Sequence, residues 1–332
     1  MPCVRYFRTT CVLFCAAFLL QACSAMLPRH DAADIMQAGP QDKFVRVKTC
    51  VSDVNIHYRE YTPRGKNVVL IHGFASSTYS WDEMAEELRK SAAPGEALHI
   101  WALDLKGFGW SDKPRGSKYD TLTLSNVVYA WMNAVGIDRA TLVGNSLGGA
   151  IALVLAIDHP EKVDSLVLVD SGGYQASDRP GKFALSPLTL ASGWLNFNRS
   201  FVKKGLDSAF YDQNKVTEHR VEEYYKRLTT RGCLDAQLDL VKTLDPEIAW
   251  TYTGRLGGIR SKTLVIWGRD DRWIPLNHGC CFKSAIPNAT LRIIPQCGHM
   301  PQEEQPAIVA GLLRDFLRGA PPESHDCACH LR

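Results

Sequence analysis

The stretch Thr141-Leu-Val-Gly-Asn-Ser-Leu-Gly-Gly149 constrains this chain more than any other. It contains G-x-S-x-G, with Gly144, Ser146 and Gly148 in place. An apolar run from Ala140 to Val143 leads in, and a run with helical character from Leu147 to Ile157 leads out. The pattern predicts a strand, a sharp turn and a helix. Such a turn holds its serine in a strained backbone conformation and lifts the hydroxyl clear of the sheet edge. Small residues two before and two after are needed because strand and helix nearly touch there.

The rest of the chain repeats the alternation. Phe44 to Cys50 and Val54 to Thr62 read as an antiparallel hairpin. Strands are expected at 67–71, 98–103, 163–169, 263–267 and 289–294. Helices are expected at 81–90, 122–135, 276–286 and 308–317. Strands alternating with helices give an α/β fold, a mostly parallel sheet covered on both faces. Between about 171 and 258 the rhythm breaks. Helix-like pieces at 218–228 and 234–244 suggest a helical insertion over the carboxyl ends of the strands, where open α/β sheets bind ligands.

A serine hydroxyl needs a base, and the base needs an orienting acid. His299, in Pro295-Gln-Cys-Gly-His-Met-Pro301, directly follows the last strand and is the expected base. His57 and His159 fit less well, one within an edge strand and one at a helix end. The acid lies in Trp267-Gly-Arg-Asp-Asp-Arg-Trp-Ile-Pro275. Asp271 is preferred to Asp270, with Asp170 a more distant candidate. An oxyanion hole requires two backbone N–H groups. Leu147, after the nucleophile, supplies one, and Phe74 of the His72-Gly73-Phe74 loop the other. His72 itself reads as a structural hydrogen-bonder.

Over about 44–318 the chain resembles the α/β-hydrolase superfamily. HGF, DLKGFGWSDKP, GNSLGG, WGRDDRWIP and CGHMPQEEQP stand in the family's order. The resemblance implies a serine hydrolase with triad Ser146, Asp271 and His299, no metal and no organic cofactor. It also implies that the insertion is a lid. GNSLGG and WGRDDRWIP look most like the branch of carboxylesterases, small lipases and meta-cleavage-product hydrolases. Serine at 146 separates the chain from the dehalogenase and epoxide hydrolase branches, which use aspartate there. Cofactor-free haloperoxidases share the triad.

The expected activity is carboxylic-ester hydrolysis of small-molecule or lipid esters. The alternatives are a C–C bond hydrolase of ring-cleavage products and a non-catalytic surface lipoprotein. Meta-cleavage hydrolases typically carry a longer glycine run after HG and a lid arginine that grips the substrate carboxylate. Here Phe74-Ala-Ser-Ser77 follows HG, and Arg199, Arg220 and Arg227 are the candidates for that arginine.

The N-terminus carries Arg5 and Arg8, then an apolar stretch from Cys11 to Leu20, too short to span a bilayer and suited to a secretory signal. Leu20-Gln-Ala-Cys23 resembles the lipobox of bacterial lipoproteins. Cys23 is the expected lipidation site and residues 1–22 the signal. Removing them leaves 310 residues and lowers the formal charge from +3 to +1. Ser24 after the cysteine points to the outer membrane. Residues 23–43 read as a tether, and the expected location is the bacterial envelope, the lipid anchor holding the chain on the membrane. That charge gives no electrostatic case for nucleic acid. Seven cysteines follow Cys23, an odd number, so at least one stays unpaired if others bond. The tail from 319 to 332, with His-Asp-Cys-Ala-Cys-His330, reads as disordered, with metal binding as the lesser alternative.

Overall fold

In the computed structural model, residues 30–91, 97–174, 197–243, 251–320 and 324–330 are described. The expected signal and Cys23 lie outside them, as do parts of the insertion. Eight strands form one sheet in the order β1-β2-β4-β3-β5-β6-β7-β8. They are β1 (Asp42–Lys48), β2 (Asp53–Glu60), β3 (Lys66–Ile71), β4 (Leu98–Leu103), β5 (Ala140–Asn145), β6 (Val163–Val169), β7 (Lys262–Gly268) and β8 (Ala289–Ile294). β1 and β2 are antiparallel, and β2 meets β4 antiparallel; every other pairing is parallel. β3, β5, β6, β7 and β8 therefore end on one edge, and the loops after them share a small space.

The central strands are continuous apolar runs because helices cover both faces. One face packs under α2 (Thr121–Ala134) and α3 (Leu147–Asp158), around Trp131, Leu142, Ile151 and Leu166. The other packs under α1 (Asp82–Lys90) and the last helix, Pro306–Leu317, around Trp81, Met84, Val143 and Leu313. α2 starts where the Asp120 side chain accepts the Thr123 amide N–H at 2.9 Å. Among the described residues no helix is long and apolar enough to cross a membrane.

The described part of the insertion is helical: α4 (Arg199–Ala209), α5 (Glu218–Leu228) and α6 (Cys233–Thr243). Its own core gathers Phe210, Val221, Tyr224 and Leu238. α4 does not stand out in the sequence, because its apolar stripe is only Val202, Leu206 and Ala209 and Gly205 lowers its helix propensity. Asn198 starts it by accepting the Phe201 amide N–H at 3.0 Å.

Two expectations need correction. The tether is packed where it is described. His30 bridges Thr230, the Asp31 carboxylate pairs with Arg231 at 2.7 Å, and β1 begins at Asp42. The tail, read as disordered, is bound to α7 (Asn277–Ala285) by two disulfides, Cys280–Cys327 and Cys281–Cys329. His325 donates its amide N–H to Leu291 and accepts that of Ile293 at Nδ1, which covers part of the outer strand. Among the described residues the unpaired cysteines are Cys50, Cys233 and Cys297.

Candidate active site

The loop after β5 carries Ser146 at φ 54°, ψ −117°, a conformation costly for any residue but glycine. The surroundings hold it there. The Ser146 amide N–H donates to Val169 at 3.1 Å, and its carbonyl accepts the Gly149 and Gly172 amides at 3.0 and 2.9 Å. The flanking glycines are required by contact. A Cβ on Gly148 would lie 2.0 Å from the Ile71 carbonyl oxygen, and one on Gly144 would lie 2.3 Å from that of Gly148. The serine loop, the end of β3 and the start of α3 thus touch through backbone alone.

The loops after β7 and β8 bring Asp271 and His299 together. His299 Nδ1 lies 2.7 Å from Asp271 Oδ2, with both side chains buried. The other Asp271 oxygen accepts the amides of Trp273 and Ile274 at 2.7 and 3.0 Å. That leaves His299 Nε2 as the nitrogen on the side away from Asp271. Asp270 is partly exposed and makes no contact with His299; its amide N–H donates to Cys297. Of the adjacent pair of aspartates, Asp271 is the one that meets His299. His299 is held from three more sides. Its amide N–H donates to Ala209 at 2.7 Å, its carbonyl accepts from the Asn145 side chain at 3.1 Å, and Trp273 lies against its ring.

The loop after β3 places Gly73 against the serine; a Cβ there would lie 3.1 Å from Ser146 Cβ. Among the described residues, the amide N–H groups of Phe74 and Leu147 donate to no protein acceptor. His72 is a fully buried hydrogen-bonder. Its Nε2 accepts the Leu105 amide N–H at 3.0 Å and its Nδ1 donates to the Gly73 carbonyl. Burial holds its ring below the ordinary imidazole range, despite the Asp104 carboxylate nearby. His57 sits on the opposite part of the sheet between Asp42 and Asp104, away from the serine.

Two carboxylates near His299 give no signal as motifs in a single sequence. Glu304 is buried and accepts the amides of Gly298, Tyr211 and Asp212 at 2.5, 2.6 and 2.9 Å. It ties the histidine loop to the insertion. Glu303 faces Arg220 Nε of α5 at 3.1 Å and accepts from Ser80 Oγ at 2.6 Å and from the Tyr224 hydroxyl. Burial pushes its carboxyl up, against the pull of Arg220.

The model of the alpha/beta hydrolase fold matches residues 66–306. The chain belongs to that family. It is 32% identical, over 84% of its length and 97% of the relative, to 2-hydroxy-6-oxo-6-phenylhexa-2,4-dienoate hydrolase of Comamonas testosteroni. It is 30% identical, over 83% and 96%, to a 2-hydroxy-6-oxononadienedioate/2-hydroxy-6-oxononatrienedioate hydrolase of the same species. Among solved structures, a membrane phospholipase A described as a bacterial virulence factor is 26% identical, with TM-score 0.67, covering 96% of each chain. The protein is therefore an α/β-hydrolase enzyme.

Proposed function

We propose that Ser146, His299 and Asp271 form a nucleophilic triad that cleaves a bond beside a carbonyl. The observation that carries this is the buried 2.7 Å contact of Asp271 with His299, beside a serine at φ 54°. His299 Nε2 takes the Ser146 proton as Oγ attacks the carbonyl carbon. Asp271 fixes the tautomer and stabilises the imidazolium. The amides of Phe74 and Leu147 receive the oxyanion. The leaving group departs with the proton from His299, and water then releases the acid by the same steps in reverse order.

For the bond cleaved, the relatives favour carbon–carbon hydrolysis over the ester hydrolysis expected from the sequence. Five relatives at 30–32% identity over nearly their whole length carry dienoate-type hydrolase names. In that reaction the 2-hydroxyl proton of the dienol first moves to the carbon beside the 6-ketone, giving the keto tautomer, and cleavage of the bond to the ketone carbon then expels that carbon as a conjugated dienolate. This is our first reading: water adds across the bond between a ketone carbonyl and a conjugated carbon chain.

Ester hydrolysis is the second reading, favoured by a specific observation. A carboxylate-bearing substrate needs a cation to grip it, and each described arginine of the insertion already has an acidic partner. Arg199 pairs with Glu222, Arg220 with Glu83 and Glu303, and Arg227 with Glu223. Arg231 pairs with Asp31 and Arg255 with Asp158. The likeness to a membrane phospholipase A over 96% of this chain points the same way. Under this reading the insertion is a lid over an acyl pocket, and Cys23 is the lipid-anchored N-terminus in the bacterial envelope.

One experiment separates the readings. The protein and its Ser146→Ala variant are given 2-hydroxy-6-oxo-6-phenylhexa-2,4-dienoate and, separately, p-nitrophenyl esters from acetyl to palmitoyl. Serine-dependent loss of the dienoate absorbance without ester turnover supports the first reading; serine-dependent ester turnover alone replaces it with the second. Turnover undiminished in Ser146→Ala removes the triad. Membrane fractionation of Cys23→Ser tests the anchor; unchanged retention on the membrane rejects it.

A further inference from the structure

The turn after β3 carries Ala75 at φ 57°, a left-handed conformation that persists only where its surroundings hold it. On one side His72 Nδ1 donates to the Gly73 carbonyl at 2.7 Å. On the other, Ser76 Oγ lies 3.2 Å from the Tyr224 hydroxyl of α5, its side-chain partner among the described residues. Tyr224 in turn donates to Glu303 Oε1, which also accepts from Ser80 Oγ at 2.6 Å. A phenol has one proton; with that proton on Glu303, the Ser76 hydroxyl is the donor to Tyr224. Ser76, Ser80, Tyr224 and Glu303 are all buried, where such bonds are costly to leave unmade. Arg220, one turn before Tyr224 on the same face of α5, lies 3.1 Å from the other Glu303 oxygen. α5 therefore meets two parts of the site at once: the turn that contains Phe74 and the short helix Pro301–Glu304 that follows His299.

We propose that Tyr224 is a positioning residue whose hydroxyl holds the Ser76 end of this turn and so aims the Phe74 amide at the oxyanion. The proposal rests on the triad and oxyanion reading above. It gives the helical insertion a part in the chemical step. Ser80 and Arg220 keep their hold on Glu303 without Tyr224, so removing the Tyr224 hydroxyl frees Ser76 and leaves the segment after His299 in place. Phe74 lies two residues from Ser76, and a shift of Ser76 turns its amide. An oxyanion donor that points away loses part of the about 10²–10³-fold that such a donor contributes.

The test is the rate at which a fluorophosphonate labels Ser146, which does not depend on knowing the substrate and loads an oxygen into the same oxyanion hole. Tyr224→Phe removes one oxygen atom and should slow labelling about tenfold. Ser76→Ala should match it from the other end of the contact. The two together should be no slower than either alone, because both break one link. Ser80→Ala weakens the same buried cluster but leaves Ser76 on Tyr224, and should label nearly as fast as the parent. Unslowed labelling in Tyr224→Phe overturns the proposal. So do single effects that multiply in the double variant, or a Ser80→Ala variant as slow as Tyr224→Phe, since either makes the role one of general stability.

A spectroscopic measurement separates positioning from loss of fold. The ³¹P resonance of phosphonylated Ser146 responds to hydrogen bonds on its oxygen, and only folded protein gives the adduct. The resonance should shift in Tyr224→Phe and in Ser76→Ala and keep the parent position in Ser80→Ala. An unmoved resonance in the first two overturns the proposal. Should Tyr224→Phe fail to fold, Ser76→Ala carries both readouts alone. Labelling undiminished in Ser146→Ala would instead remove the triad reading, an outcome that no variant of Ser76 or Tyr224 can produce.

Discussion

The side-chain amide of Asn145 donates to the carbonyl of His299 at 3.1 Å, across 154 residues of sequence. The same nitrogen donates to Val169 at 3.1 Å. One residue before the serine therefore sets the height of the histidine loop. Asn145→Ala takes the donor from the buried His299 carbonyl, while Val169 keeps the Ser146 amide N–H, and should cost about 1–3 kcal/mol of stability. It should also slow turnover about tenfold, because a shift of the base spoils its alignment with Ser146. Thermal unfolding and kcat/KM, measured together, check this; a variant unchanged in both would show that the contact carries neither role.

Glu304 holds the same loop from behind, through Gly298, and the insertion through Tyr211 and Asp212. Glu304→Gln exchanges one acceptor oxygen for a donor facing amides that also donate. The expected cost is about 2–4 kcal/mol. The fall in kcat should exceed any change in KM, because Glu304 acts through His299. An equal effect on KM alone would place Glu304 in substrate binding instead.

The serine loop is legible in the sequence because its constraint is local: Gly144 and Gly148 are forced by backbone approaching backbone. The strands at 98–103 and 163–169 fall where the apolar runs place them, since burial on both faces leaves little choice of residue. The choice of Asp271 over Asp270 is not a local matter. Both follow β7, and the loop after β8 selects the one whose side chain turns inward. Asp170, Glu303 and Glu304 each take partners far away in sequence, Gly268, Ser80 and Asp212, which no spacing rule encodes. The tail was misread for the same reason. Its composition is that of a loose end, and only the position of Cys280 and Cys281 on a neighbouring helix gives its cysteines partners.

The two disulfides should not add. Each closes a loop of 47 or 48 residues, which in the chain-entropy account is worth about 4 kcal/mol for whichever forms first. The second then closes only a small ring, because both join the same tail to adjacent positions of α7. Cys280→Ser/Cys327→Ser and Cys281→Ser/Cys329→Ser should each lower the unfolding temperature modestly, and the fourfold variant by much more than their sum. Peptide mapping without reduction checks the pairing. Additive losses would mean that the two bonds restrain different motions.

Acid stability should depend on Asp104, which lies fully buried on the loop after β4. Its carboxylate accepts the amides of Thr78 and Trp110 at 2.6 and 2.7 Å and meets His57 Nδ1 at 2.8 Å. Burial raises its carboxyl, but the His57 charge and these hydrogen bonds outweigh it and hold the group far below the ordinary range. His57 is the converse. Burial opposes its charge, yet Asp104 and Asp42 on its two ring nitrogens raise it. A depressed carboxyl contributes stability above its unfolded value near 4 and loses it as pH falls toward the folded value. A raised imidazole contributes fully below about 6.5 and loses its share as pH rises through the folded value. Asp104→Asn should therefore destabilise by about 3 kcal/mol near pH 6, where both groups are charged and the variant leaves the buried imidazolium only Asp42. The difference from the parent should narrow steadily as pH falls below about 4. Urea unfolding from about pH 3 to pH 8 reads both slopes. A constant gap across the acid range would mean that Asp104 contributes through packing rather than through its charge.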